Sequence, residues 1–331
     1  MQDTNTLPAG ELHRALVVAL VAATGDAGST GATHADTERA ALWLTQAEQL
    51  GLPGFGVAML LRDLERMAAP VGAAADSPVP APIAALDATG VPGPLALATA
   101  TRLAGAAART HGVGVVGIRN VGALGILGFA ARDLAADGAV ALVAAQAPAK
   151  VAPWGGTSPA IGTNPLAVAA PRAAEAPLVA DFATAPITQA ALAAHRNRGT
   201  PLPAGIALDA AGEPALDAGH VATILPESLL GSLGGFLVEI IAGIAVGGRG
   251  PAGAPASGRG AFVLALDPAR AGGDSAALDS VQLAADWRAA GGHVPARFDA
   301  LPFGESAPSG QVTVTTESLA ALRALASGAQ R

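Results

Sequence analysis

Apolar residues recur at helical spacing through the first part of the chain. Glu11 to Ala23 carries Leu12, Leu16 and Ala19 ahead of Gly25, which predicts a helix with a glycine stop. Thr33-His34-Ala35-Asp36 fits a capping box, after which Ala40, Trp43, Leu44, Ala47 and Leu50 share one face of a second helix ended by Gly51. A third helix is expected from about Phe55 to Met67, presenting Leu60, Leu61, Leu64 and Met67.

Pro and Ala crowd residues 70–82, which read as a linker, and the period then changes. Gly93 to Arg109 is helical in pattern, Val113 to Ile118 is a buried strand, Ile126 to Ala136 is a helix and Ala139 to Ala144 is a strand again, an α/β unit. Pro165 to Ala170, Leu178 to Phe182 and Ala261 to Leu266 are further strands. Thr184-Ala185-Pro186 offers a hydroxyl cap and a first-turn proline to a helix reaching about Arg196. Leu229 to Val246 is the longest apolar stretch; Glu239 and several glycines make it a buried helix rather than a membrane span. Gly247 to Gly260 is a Gly/Pro/Ala loop, and Thr316 caps a last helix through Ala326 with Leu319, Leu322 and Leu325 inward.

Composition narrows the function. The 331 residues are 51% hydrophobic and 14% charged and contain no Cys, which excludes thiolate chemistry, disulfides and Cys-ligated zinc. Acidic side chains outnumber basic ones, 26 to 19, with no basic cluster to neutralise phosphates, so no nucleic-acid partner is expected. No basic segment precedes an early apolar run, so no signal peptide is expected and the reading is a cytoplasmic protein without a membrane partner. Lys150 is the lone lysine among the basic residues, and the Ala, Gly and Pro excess beside it marks a GC-rich coding bias.

Short motifs are weighed against that background. Gly112-x-Gly114-x-x-Gly117 matches the dinucleotide fingerprint, but it follows a helix and lies in a strand, so chance is the better source in a chain with 42 glycines. Gly122, Gly125 and Gly128 sit between strand and helix, where free amides could face an anion. His13, His34, His111, His195, His220 and His293 have no metal-ligand spacing, so no metal site is expected. His195-Arg196-Asn197-Arg198 reads as a solvated helix end. No Gly-x-Ser-x-Gly elbow is present, Ser158, Ser228 and Ser232 have no adjacent base, and Trp154 and Trp287 read as packing residues. Asp181 ends an apolar strand shortly before the Thr184 cap; it marks either a nucleotide-binding strand end or a carboxylate that caps the following helix.

Three runs in order, Pro153-Trp-Gly-Gly156, Gly162-Thr-Asn-Pro165 and Asp181-Phe-Ala-Thr184, resemble the type-2 malate/L-lactate dehydrogenase family, also called sulfolactate dehydrogenase-like. Leu86-Asp-Ala-Thr-Gly90, Gly199 to Pro203, Gly205-Ile-Ala-Leu-Asp209, Val238-Glu239 and Leu301-Pro-Phe-Gly-Glu305 extend the likeness over nearly the whole chain. The resemblance implies an α/β fold of the sulfolactate/malate dehydrogenase type, which binds NAD(P) without a Rossmann domain. It further implies a homodimer with active sites near the subunit boundary, and hydride transfer between NAD(P)H and a small 2-oxo acid, 2-hydroxy acid or cyclic imine. The expected layout is a helical N-terminal region at 1–69, the linker at 70–82, a substrate- and dimer-side subdomain at 83–120 and 260–331, a cofactor-binding-type subdomain at 121–246, and the Gly/Pro loop at 247–259.

The chain departs from that family where the chemistry lies. The family's Arg-Gly and Ser-His-Gly, which supply a substrate-binding Arg and a catalytic His, fall on Leu50-Gly51 and Gly54-Phe55-Gly56. Its His-Phe-Gly falls on Ala123-Leu124-Gly125, its Lys-Gly near the cofactor on Leu230-Gly231, and its Gly-Lys-Ile on Ala190-Ala191-Leu192. Hydride transfer builds negative charge that a donor must meet, and a substrate carboxylate wants a bidentate Arg; Leu50, Phe55, Ala123 and Leu230 supply neither. These residues with Leu124 therefore line an apolar substrate pocket, and ordinary dehydrogenase activity is expected to be lost or altered. Asp181, Ala183, Thr184 and the Gly304-Glu305-Ser306 turn match stretches that touch NAD(P) in the family, while Leu230 removes a cofactor contact, so NAD(P) binding stays open. Three functions remain: an NAD(P)-dependent oxidoreductase using Asp181, Glu305 or the substrate itself as acid; a repurposed non-redox enzyme acting on a neutral apolar small molecule of biosynthetic type; or a catalytically silent binding protein.

Overall fold

The computed structural model describes residues 3–24, 31–67, 81–249, 258–302 and 308–327. Most of the expected linker at 70–82, the centre of the Gly/Pro loop and the Gly304-Glu305-Ser306 turn lie outside the described residues. The chain opens with β1 (Thr4–Pro8), α1 (Ala9–Thr24), α2 (His34–Gln49) and α3 (Val57–Leu64), and continues with β2 (Ile83–Asp87), α4 (Gly93–His111), β3 (Val113–Val121), α5 (Leu127–Ala136) and β4 (Val140–Ala145). Next come β5 (Pro165–Ala170), β6 (Leu178–Ala183), α6 (Gln189–Arg198), β7 (Ala207–Leu208), β8 (Thr223–Ile224) and α7 (Leu229–Val238), the last running into a π-helical turn at Glu239–Ile244. β9 (Arg259–Leu266), α8 (Ala276–Ala289), β10 (Gln311–Thr315) and α9 (Thr316–Ala326) complete it.

The central sheet has the order β2-β3-β9-β4-β5-β6. β2 and β3 run parallel and every other pair is antiparallel. One row across it reads Ala84, Val116, Val263, Val143, Ala167 and Asp181. Directly opposed residues point to the same face, so five apolar positions and one acid face one side together. α4 and α5 cover that side: a Cβ at Gly114 would lie 2.0 Å from the Ala104 carbonyl oxygen, so α4 rests directly on β3. With α1 and α2 they enclose a single large core in which Leu16, Leu44, Leu97, Ile118 and Phe129 are buried. Of the glycine pattern at 112–117, Gly114 thus serves the packing of α4 on β3, while Gly112 caps α4 in a left-handed conformation and Gly117 meets Val246 on the other side of the sheet.

The opposite face carries Gly117, Phe262, Ala144, Leu166 and Phe182 in one row. Only a small cluster of Ala144, Val238 and Ala242 is buried there, under α7 and the π-helical turn. The expectation of a buried helix over Leu229–Val246 is therefore corrected. Ser232, Gly235, Val238, Glu239, Ala242 and Gly243 face inward, while Leu230 is 79%, Phe236 59% and Ile244 65% exposed. Glu239 fixes that orientation, because its carboxylate accepts from Asn164 Nδ2, Gln146 Nε2 and Arg249 Nη1. A buried carboxylate needs those donors, so it turns inward and the large apolar side chains turn outward.

Local signals hold at α2 and shift elsewhere. Thr33 Oγ1 accepts from the Asp36 N–H at 3.2 Å and Asp36 Oδ2 accepts from the Thr33 N–H at 2.9 Å, the expected capping box. The third helix is shorter than expected, because Pro53–Phe55 forms a 3-10 turn ahead of α3. α6 starts four residues later than expected. Thr184 is still tied to the neighbouring segment, its N–H donating to the Thr163 carbonyl and its Oγ1 to that of Asn164, so its hydroxyl caps nothing. Thr188 takes the role, accepting from the Ala191 N–H at 3.0 Å. Thr315 rather than Thr316 likewise caps α9. Trp154 and Trp287 are 54% and 55% exposed and are not core packing residues; Trp43 is the buried tryptophan, donating to Asp133 Oδ2.

Candidate functional site

Leu50 terminates α2, and Phe55 closes the 3-10 turn; both are half-buried against the main core. That turn packs on α6, where a Cβ at Gly54 would stand 3.0 Å from Ala190 Cβ. On its other side the Phe55 carbonyl oxygen approaches Gly125, 3.6 Å from where a Cβ would be, next to the Met59 methyl group. Ala123 is exposed and Leu124 is buried in the β3–α5 loop. The fold therefore brings Gly54-Phe55, the Ala123-Leu124-Gly125 loop and Ala190 to one place, and every side chain among them is apolar. Leu230 stands instead on α7, whose Gly231 packs on the Thr184 carbonyl, with its own side chain in solvent.

Two carboxyl groups border this place, and a third lies farther along, under α5. Glu48 is buried under Gly56 and accepts from the Val57 N–H at 2.8 Å, and burial pushes its pKa up to about 6. Asp63 accepts from the Ala123 N–H at 3.0 Å, while its Oδ2 is enclosed without a hydrogen-bond partner. Burial raises its pKa, against the amides of Ala123 and Gly93 and the charges of Arg66 and Arg62. Sequence reasoning missed both acids. The available signal was their spacing, since Glu48 falls four residues after buried Leu44 and Asp63 four after buried Met59.

Asp181 is the third. Its place in the apolar row puts it beneath α5, where burial pushes its pKa up to about 6 against the Gly128 N–H and the Arg297 charge. Asp181 does not cap the helix that follows it; it accepts from an amide in the first turn of α5. Of the three glycines at 122, 125 and 128, Gly128, inside the first turn of α5, thus turns its amide to this carboxyl. A Cβ there would lie 2.2 Å from the Phe298 ring, which seals the spot. Ala183 and Thr184 follow along β6 and its end.

The family model described as malate/L-lactate dehydrogenase matches residues 27–298. The chain belongs to that family. The (2R)-3-sulfolactate dehydrogenase (NADP(+)) of Chromohalobacter salexigens is 36% identical over 110 residues, 33% of each chain. The Δ1-pyrroline-2-carboxylate/Δ1-piperideine-2-carboxylate reductase of Pseudomonas aeruginosa is 32% identical over 182 residues, 51% of this chain and 54% of the relative. The chain thus matches between a third and just over half the length of these curated relatives. Δ1-piperideine-2-carboxylate reductase from Pseudomonas syringae superposes with a TM-score of 0.77 at 23% identity over 97% of this chain and 99% of that one. Sulfolactate dehydrogenase from Methanocaldococcus jannaschii gives 0.71 at 19% identity over 98% and 97%. These superpositions show the fold, a mixed sheet with helices of the sulfolactate/malate dehydrogenase-like kind.

NAD(P) carries a negative pyrophosphate, which calls for cations or unspent donors. In this malate/L-lactate dehydrogenase family member the described residues at the end of β6 do not fit that need. Thr184 Oγ1 is spent on backbone carbonyls, Ser228 and Thr188 hydroxyls cap their own helices, and Lys150 Nζ donates to the Val221 carbonyl. Arg297 acts on Asp181, and α7 begins Leu229-Leu230-Gly231 without a charge. Among the described residues no helix is long and apolar enough to cross a membrane, and no group of three or more His, Asp or Glu could hold a metal ion.

Proposed function

We propose that this family member does not carry out the ordinary reaction on anionic 2-oxo acids and instead binds a neutral, largely apolar small molecule. The observation that carries this reading is the place where Phe55, Ala123, Leu124 and Ala190 converge. Its own side chains are apolar and include no cation or histidine; of the groups around it, Glu48 and Asp63 are acids pushed upward by burial, with Arg62 and Arg66 near enough to act on the Asp63 charge. A substrate carboxylate would lack its bidentate Arg and meet acidic groups in its place. Replacement of polar positions by Leu and Phe also supports occupation by apolar matter, because decay alone has no preference for bulky apolar residues.

Purified full-length protein is expected to consume neither NADH nor NADPH above background with pyruvate, oxaloacetate or Δ1-pyrroline-2-carboxylate. Rapid turnover with any of the three overturns the reading. Fluorescence titration with both nucleotides is expected to show no saturation below millimolar concentration. In thermal shift, the methyl ester of phenylpyruvate is expected to stabilise the protein more than the free acid.

A second reading has one observation behind it. Asp181 keeps its proton into the near-neutral range and could pass it to a ligand oxygen or nitrogen. An altered reaction that is lost in Asp181→Asn while ligand binding persists would favour it.

A further inference from the structure

Asp63 lies in the last turn of α3, and its carboxyl reaches outside its own helix. Oδ1 accepts from the Ala123 N–H at 3.0 Å, and the amide of Gly93, the first residue of α4, also draws on the carboxyl charge. Gly122 makes room for the group, because a Cβ there would overlap both carboxyl oxygens. The head of α4 needs an outside partner: Pro92 stands at its cap position and supplies no side-chain acceptor. α4 and the loop also touch directly, since a Cβ on Gly93 would overlap the Ala123 carbonyl. One carboxyl thus joins α3, the head of α4 and the Ala123-Leu124-Gly125 loop.

The fit serves one charge state better than the other. Oδ2 is enclosed and has no hydrogen-bond partner. A neutral carboxyl still accepts the Ala123 amide at Oδ1, whereas an ionised one places charge on an enclosed oxygen that no donor meets. We propose that Asp63 is a positioning residue for the site, a latch that holds the Ala123-Leu124-Gly125 loop while its carboxyl is neutral and releases it on ionisation.

The surroundings agree with that direction. Burial raises the Asp63 pKa, and the amides of Ala123 and Gly93 and the charges of Arg66 and Arg62 oppose it only in part. Both arginines are exposed. Asp87 and Arg119, at the ends of β2 and β3, pair with each other. α9 packs on α3 and carries Glu317 and Arg323, the latter paired with Glu11. Glu48 holds the opposite end of α3. A pKa raised in the latched arrangement means that this arrangement binds the proton more tightly than the released one. Latching is therefore complete at acid pH and weakens as pH rises through the folded value. The consequence for ligand entry rests on Ala123 and Leu124 being walls of the proposed apolar site; the latch itself does not.

The test uses the full chain without ligand, so a failure of the apolar-ligand reading leaves its outcome untouched. Leu124 is buried and the chain has no native cysteine, so Leu124→Cys reports release through its reaction with 4,4′-dithiodipyridine. The reference is the same cysteine beside Asp63→Asn, which keeps the Oδ1 acceptor without a charge; dividing by its rate removes the thiol's own titration. The rate ratio is expected to be close to one at about pH 4.5 and at least about threefold higher by about pH 8. Asp63→Ala removes the acceptor and is expected to label at least about threefold faster than Asp63→Asn at every pH, with unchanged circular dichroism. If Asp63→Ala does not fold, the comparison with Asp63→Asn decides alone. A ratio that stays flat or falls as pH rises overturns the proposal, and so does a folded Asp63→Ala that labels no faster than Asp63→Asn.

Discussion

The two faces of the central sheet are made by the same strands and are finished differently. On one, Val116, Val263, Val143 and Ala167 disappear beneath α4 and α5, and the core is closed within the subunit. On the other, α7 brings Ser232, Gly235, Val238 and Ala242 to the strands and turns its leucines and Phe236 to solvent. Apolar burial is the main source of stability, and the first face realises it within the subunit. The comparison teaches that a hydrophobic stretch reports a need for cover without reporting what covers it.

The largest expected effect lies in the closed face. Phe129 is fully buried and meets Phe298 edge-to-face with ring centroids 5.4 Å apart. Phe129→Ala should cost about 3–5 kcal/mol in urea unfolding, from lost transfer energy plus the cavity. Phe236→Ala, at an exposed position, should change stability by no more than about 0.5 kcal/mol. Similar costs for the two would erase the distinction between the faces.

Next in size is the polar seal of the same core. Asp36 is buried, accepts from the Thr33 N–H and takes both contacts of the Arg102 Nε. Asp36→Ala removes the cap and the ion pair together and should cost about 2–4 kcal/mol, read as a fall in the denaturation midpoint.

Much of this first face is legible in the sequence. The capping box at Thr33, the inward stripe of α2 and the strands through Val113, Val140 and Ala261 all follow from spacing, because each depends on neighbours a few residues apart. The insertion of β9 between β3 and β4 depends on pairings distant in sequence, and nothing local encodes it. α7 fails for a related reason. It is apolar all round, so its own pattern cannot choose an inward face; Asn164 and Gln146, far away in sequence, choose it by holding Glu239. At the site, Phe55 and Ala123 are named by alignment to family motifs, and in the fold the Phe55 carbonyl approaches Gly125, two residues beyond Ala123. The acids Glu48 and Asp63 were overlooked because each sits within a helical pattern that reads as ordinary.

A further prediction concerns the one acid in the buried row. The folded pKa of Asp181, about 6, lies above the ordinary carboxyl value of 3.8. The native state then holds more protons than the unfolded one between these values, so stability is full below about pH 4 and falls as pH rises through about 6. Glu48, also raised to about 6, acts in the same direction. Thermal midpoints of the wild type should decline over that window, and Asp181→Asn should flatten the decline by roughly 1–3 kcal/mol. A midpoint that instead rises from pH 4 to pH 7, with Asp181→Asn unchanged, would mean that the carboxyl is not desolvated by its place under α5.

The smallest effect separates two threonines that the sequence cannot rank. Thr184 and Thr188 both precede helical pattern, and Thr184 has the proline two residues on that favours a helix start. In the fold, Thr184 is still anchored to residues 163 and 164, and Thr188 supplies the acceptor to Ala191. Thr188→Ala should therefore cost about 1 kcal/mol through the lost cap, and Thr188→Ser should restore most of it. Thr184→Ser keeps the hydroxyl donor and should be nearly silent, whereas Thr184→Ala should loosen the contact between β6 and the 163–164 segment without fraying α6. Amide exchange distinguishes the two: faster exchange in the first turn of α6 is expected for Thr188→Ala alone. If Thr184→Ala frays that turn instead, the proline signal was right, and the start of α6 lies where the sequence first placed it.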